Sequence, residues 1–383
     1  MIARSLIAAA ALLAGTAVPP GMRSEAKPSG TSPPRPGELC AVLLPVDQAK
    51  EDQLARIRRE GAAGVALPLA RGERESLRRA AARVTSAGLE LYYWVEVGRC
   101  PELADTNPQW MASLQGHSQW RRHFPRVRQP EAGEVVKNYP WVPIRYREAF
   151  AAHLHRVGEL LRDLPTPKGI FLNDLQAAPS ACGCGNPLCR WTPDYGPVRT
   201  ATELPADAAA RFVAEVRKLS PGSEIIPVWT TECEEHEMAE GEACDGVSCF
   251  TGACWTAYTE QLMPVAKEAK RIAALLPYRA FKKDLPRYGP EAAWVRHALG
   301  SFQKMPPLRK GAAVPAERLV AVLQGWDVTP AQRQAQIEQS RAAGAGGYLV
   351  AEIEIEQGWQ PRIVKAKPLP RPAATPQHPS EHR

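Results

Sequence analysis

The chain has 383 residues, 44% of them hydrophobic and 23% charged, with a formal net charge of +7. Such a composition excludes a disordered chain and allows one large core or two ordinary ones. The positive charges are dispersed, with no clustered stripe and no reader motif, so nucleic acid is not expected as a partner.

Residues 1–26 read as a secretory signal peptide. Arg4 precedes the apolar run Leu6 to Leu13, and the small residues Gly15 and Ala17 follow. Cleavage after Ala17 or Ala26 fits, and the run is too short to span a bilayer comfortably. The expected location is secreted or periplasmic, with no stable membrane insertion after cleavage and a monomeric state. Residues 27–37 form a Pro- and Ser-rich linker, 38–364 a single main domain, and 365–383 a Pro-rich tail.

Within the domain, apolar runs alternate with helical periodicity. CAVLLPV, GVALPL and LELYYWVEV read as three buried strands, separated by helices over Asp47–Glu60 and Arg71–Ala87. A long connection, Gly98 to Pro143, holds many aromatic residues and reads as a functional loop. A helix over Ile144–Leu164 leads into GIFLND, the fourth strand. A helix over Ala206–Leu219 leads into EIIPVWT, the fifth. Gly246–Phe250 reads as a short sixth strand and Gln261–Leu276 as a helix. LVAVLQGW and YLVAEI are the seventh and eighth strands, with a helix between them opened by Asp327 and Thr329. Eight strands with interleaved helices predict an α/β fold of the (β/α)8, TIM-barrel type.

In such a barrel the strand C-termini share one face, which here would collect Glu96, Asn173, Asp174, Glu232, Asp327, Glu352 and Glu354. Carboxylates beside tryptophans suit sugars, since flat rings stack on pyranoses and carboxyls act as acid and base. Asp174 and Glu232 are the acid and nucleophile candidates, with Glu352 in support. Asn173, Trp110, Trp120, Trp141, Trp255 and His117 are the ligand-binding candidates. Glu352 lies in an apolar strand, so it must face a polar cavity or a cation, such as an arginine.

Nine cysteines, an odd count, leave at least one thiol unpaired within the chain. Cys182, Cys184 and Cys189 have two readings. They are three thiolate ligands of a structural zinc, or members of disulfides permitted by export.

The runs TNPQWMASLQGHSQW, YPWVPIRYREAFAAHLHRV and GIFLNDLQ resemble glycoside-hydrolase-like barrels related to the α-amylase clan. Asn107, Pro108 and Trp110 match a segment after the third strand. Arg145, Tyr146 and Arg147 match a helix start, and Gly169 and Ile170 match the following strand. The resemblance covers roughly residues 89 to 176. It implies a carbohydrate substrate and carboxylate acid/base catalysis. The alternative is a non-catalytic carbohydrate-binding or envelope-associated barrel, because the family's strand-end acid falls on Asn173, and an amide can be neither nucleophile nor general acid. Alternation along an unbulged strand sets Asn173 and Asp174 on opposite faces.

Overall fold

The computed structural model describes residues 34–112, 124–144, 147–175, 207–230, 236–237, 243–244, 264–276, 292–303, 314–355 and 360–365. In chain order its elements are β1 (Leu39–Leu43), α1 (Glu51–Arg59), β2 (Gly64–Pro68), α2 (Arg74–Ser86), β3 (Glu90–Glu96), α3 (Pro101–Thr106) and β4 (Glu134–Asn138). There follow α4 (Arg147–Leu161), β5 (Gly169–Asn173), α5 (Ala208–Leu219), β6 (Glu224–Thr230), β7 (His236–Glu237), β8 (Ala243–Cys244) and β9 (Ile272–Leu275). The chain closes with α6 (Ala293–Gln303), β10 (Leu319–Gln324), α7 (Pro330–Ala342), β11 (Gly347–Ala351) and β12 (Pro361–Lys365).

Eight of these strands form a closed barrel in the order β1-β11-β10-β9-β6-β5-β3-β2. Every pairing within it is parallel. The protein is therefore a (β/α)8 barrel. Its strands are buried on both faces, which is why they read as near-continuous apolar runs. One face fills the barrel with Leu43, Ala66, Tyr92, Trp94, Phe171, Ile226, Val322 and Leu349 among others. The other face, including Val65, Tyr93, Leu172, Trp229 and Val350, packs under the helices. Burying each large apolar side chain stabilises the fold by about 1.5–3 kcal/mol.

Local chemistry sets the element ends. Gly61 and Gly88 take positive φ just after α1 and α2, a conformation that costs glycine little. Thr329 caps α7 through a reciprocal box with Gln332.

The structure corrects the sequence reading in two places. The sixth barrel strand is β9, Ile272–Leu275, inside the stretch expected to be helical, and among the described residues of that stretch 264–268 are helical. The expected strand Gly246–Phe250 lies outside the described residues. The long connection after β3 is also not structureless. It contains α3 and β4, and β4 pairs antiparallel with β12 at the far end of the chain. No helix among the described residues is long and apolar enough to cross a membrane.

Glu352 illustrates how the rim is tied together. On β11 the inward residues are Leu349 and Ala351, so Glu352 turns outward toward the helices. There it accepts from Arg56 at 2.7 and 3.0 Å, from Arg333 at 2.8 Å and from Gln53 at 3.1 Å. The expected polar environment is thus an ion-pair network joining α1, α7 and the end of β11, not the barrel mouth. Glu352→Ala leaves two half-buried guanidinium groups without this carboxylate, and should cost about 1–3 kcal/mol. Urea unfolding measures it, and a loss below about 0.5 kcal/mol would mean the network carries no weight.

Candidate functional site

The polar centre of the barrel mouth forms where β3 and β5 end. Their register pairs Glu96 with Asn173. Both continue the inward face, Glu96 after Tyr92 and Trp94, Asn173 after Phe171. Hydrogen bonds fix the Glu96 carboxylate on both oxygens. Trp94 Nε1 donates to Oε1 at 2.6 Å and Asn173 Nδ2 donates to Oε2 at 2.8 Å. Beneath it Arg156, reaching in from α4, donates to the Glu96 carbonyl and to that of Val97. Glu96 is half-buried, whereas Asn173 is 1% exposed and Asp174 4% exposed.

Asp174 departs from the strand. Its φ of 53° lies in the left-handed region, so the simple alternation expected from the sequence ends at Asn173. It packs over Gly98, two residues past the end of β3. A methyl group built on Gly98 would meet the Asp174 carbonyl at 2.7 Å, its Cβ at 3.1 Å and Trp141 Nε1 at 3.2 Å. Glycine at 98 is thus what lets Asp174 and Trp141 close on the strand end.

Trp141 is buried against Ala112, with the Arg99 guanidinium carbon 5.8 Å from its ring centroid. Asn173 Oδ1, Asp174 Oδ2 and Trp141 Nε1 are buried and have no hydrogen-bond partner among the described residues. Native proteins rarely leave such atoms unpaired, so a water or a ligand is expected to meet them; Glu224 and Ser340, away from the mouth, carry such atoms too.

Electrostatics divide the two carboxyls. Burial pushes both upward. Against this, Glu96 has donors from Trp94 and Asn173 and the charges of Arg99 and Arg156. Asp174 has the Glu96 charge pushing it further up, well above the usual aspartate range, with only Arg99 opposing. A proton shared between them therefore rests on Asp174, and Glu96 stays the anion. His153, buried behind the site, is held neutral: burial and the Arg156 charge push it down to about 3, and its Nε2 donates to Val142 O at 2.8 Å.

Because Asp174 holds its proton longer in the folded chain than in the unfolded one, it erodes stability as pH rises above its ordinary value of 3.8. Asp174→Asn keeps the shape, tolerates the left-handed backbone and removes that loss. The variant should gain on the parent as pH rises through the acid range, and thermal melts at pH 4 and pH 7 check this. An equal difference at both values would contradict the assignment.

Of the expected site residues, the structure brings Asn173, Asp174 and Trp141 together. Trp110 packs instead in a satellite cluster with Leu103, Tyr139 and Val364. His117, Trp120, Trp255, Glu232, Cys182, Cys184 and Cys189 lie outside the described residues. Among the described residues no three metal-ligating side chains converge, and Cys40 and Cys100 are buried free thiols.

Two further mouth residues were not singled out from the sequence. Gln324 continues the inward face of β10, and Trp326 just beyond it packs on the barrel-filling cluster. A carboxylate beside an indole N–H at i and i+2 of one strand, as in Trp94 and Glu96, is the signal that would have raised Glu96 from the rim set.

No family model and no curated protein matches the chain. Solved structures similar to it include two β-galactosidases and an α-amylase. A β-galactosidase from the Antarctic haloarchaeon Halorubrum lacusprofundi is 12% identical, with a TM-score of 0.44 over 81% of this chain and 52% of that one. A β-galactosidase from Marinomonas ef1 is 13% identical, with a TM-score of 0.46 over 81% and 53%. An α-amylase from Geobacillus thermoleovorans is 11% identical, with a TM-score of 0.41 over 82% and 70%. The chain spans about half the length of the two galactosidases. At these identities the likeness is one of fold.

Proposed function

We propose that the protein is an exported barrel that acts on a carbohydrate at its C-terminal mouth by carboxylate acid/base catalysis. The observation that carries this reading is the pairing of a half-buried, doubly hydrogen-bonded Glu96 with the buried, proton-holding Asp174. Paired carboxyls that hold a proton unequally, here both pushed upward by burial and Asp174 the further, are the equipment of acid/base chemistry on glycosidic oxygens. Asp174 supplies the proton and Glu96 the fixed negative charge, and Glu232, which follows the EIIPVWT strand in sequence, is the candidate for a second carboxylate. Asn173 Oδ1 accepts from a ligand hydroxyl, and Trp326 gives it an aromatic wall. The leader from Arg4 to Leu13 supports export.

The alternative is a barrel that binds carbohydrate without turnover. It is favoured by the amide at Asn173 and by the 4% exposure of Asp174. A panel of chromogenic glycosides, run with calorimetric titration of the matching oligosaccharides, separates the two. Turnover lost in Asp174→Asn or Glu232→Gln supports catalysis. Binding that survives both substitutions, with no turnover in the parent, supports the alternative. Neither turnover nor binding on any glycan would overturn both.

A further inference from the structure

β12 lies outside the barrel sheet, yet its contacts lead back to the mouth. Its register against β4 runs from Pro361 opposite Asn138 to Lys365 opposite Glu134. At the mouth end of this ribbon, Tyr139 N donates to Gln360 O at 2.9 Å and Gln360 N donates to Asn138 Oδ1 at 3.0 Å. From there a backbone relay continues. Asn138 N donates to Ala112 O at 2.7 Å, Ala112 N to Trp141 O at 2.9 Å, and Trp141 N to Asn138 O at 2.8 Å. Val142 N then donates to Gly98 O at 2.7 Å, and Cys100 N to Pro140 O at 3.0 Å. Gly98 is the residue on which Asp174 and Trp141 meet.

Side chains hold the same arrangement. Val364 packs on the cluster of Met111, Val142 and Ala149, and Ile363 on Val136. The Arg362 guanidinium carbon sits 4.1 Å from the Tyr139 ring centroid, and Arg362 pairs with Asp105 at 2.6 Å.

We infer that β12 is a working part of the site, a strap that holds Asn138–Val142 down and thereby sets Trp141 against Gly98 and Asp174. A barrel needs no such strand to close, since all eight barrel strands already have two neighbours. What the strap fixes is the wall beside Asp174, and with it the exclusion of water from that carboxyl. Val364, Arg362 and the Gln360 main chain are positioning groups in this sense. The inference rests on the β3–β5 mouth being the site, though not on the ligand being a sugar.

The test uses the full chain carrying Val364→Asp, which sets a charge against the apolar cluster, and separately the milder Arg362→Ala. Hydrogen exchange is followed by mass spectrometry. The titration of the Asp174 side-chain carboxyl is followed by carbon NMR and assigned by its loss in Asp174→Asn. The expected result is exchange at Cys100, Ala112, Tyr139, Trp141 and Val142 faster by about tenfold or more, as in a local opening. β1, β2, β10 and β11 should stay unchanged, and the Asp174 midpoint should fall toward the ordinary aspartate value in both variants. Should Val364→Asp unfold the barrel, Arg362→Ala decides by the same two readouts. Faster exchange confined to β4 and β12, with the Asp174 titration unmoved, would overturn the inference. No sugar enters this experiment, so its failure leaves the carbohydrate reading standing, and failure of the glycan panel leaves the strap standing.

Discussion

Glu96→Gln should lower turnover of a responsive glycoside by about 10²-fold or more, the usual contribution of a positioned acid/base group. The substitution keeps the size of the side chain but removes the charge. Gln Oε1 can still accept from Trp94 Nε1 or from Asn173 Nδ2, as Glu96 does now, but the amide nitrogen cannot accept the second. It also leaves Arg99 and Arg156 without the carboxylate they now balance, and leaves burial alone, without the Glu96 charge, to hold the proton on Asp174. Two readouts should therefore move together: turnover falls, and the Asp174 titration shifts downward. The fold should survive, because the barrel-filling contacts of Trp94 and Phe171 are untouched. Full activity in a folded Glu96→Gln protein would remove Glu96 from the chemistry. Unfolding would instead mark it as a structural acid.

Gly346→Ala should be the most destabilising single methyl addition in the barrel. Gly346 N donates to Leu319 O at 2.8 Å and to Ala316 O at 3.2 Å, drawing the entry of β11 against that of β10. A Cβ there would lie 1.8 Å from the Glu317 carbonyl oxygen and 2.7 Å from its carbon. Those are main-chain atoms, so no side-chain rotation relieves the overlap, and either the turn before β10 or the start of β11 must move. Ordinary overpacking costs about 1–3 kcal/mol; this contact should exceed about 3 kcal/mol on the same scale. Gly344→Ala serves as a control of another kind, since its nearest neighbour is the Ala316 side chain at 3.3 Å and its strain comes from a φ of +78°. Urea unfolding of the two variants measures the contrast. A Gly346→Ala protein as stable as the parent would contradict the packing described at that seam.

The two faces of these strands explain what could be read from sequence. Runs such as LELYYWVEV and YLVAEI are apolar throughout because each strand lies between the barrel interior and a helix layer. Their number and alternation with helices made the (β/α)8 architecture legible. The same continuity hid which face each terminal acid would take. Glu96 and Glu352 both follow apolar runs, yet one continues the inward series of Tyr92 and Trp94 and the other the outward series of Tyr348 and Val350. Only closure of the barrel defines inside.

β9 was missed because IAALL sits among Lys, Ala and Leu, strong helix formers, and four residues are too few for periodicity to decide. The β4–β12 ribbon was missed because its partners lie more than two hundred residues apart in sequence. At the site, Asn173, Asp174 and Trp141 were legible as strand-end or loop polar groups. The left-handed turn at Asp174 and its closure on Gly98 were not, because they depend on where β3 and β5 end relative to one another.

The division of charge between Glu96 and Asp174 is tested most directly by counting carboxylic acid protons at the mouth. Infrared difference spectra between the parent and Asp174→Asn at pH 6, where an ordinary aspartate is about 1% protonated, isolate the carbonyl stretch of a neutral buried acid. One such band, present in the parent and absent from the variant, is the expected result. A parent spectrum with no neutral-acid band, showing only carboxylate at Asp174, would contradict the assignment of the proton.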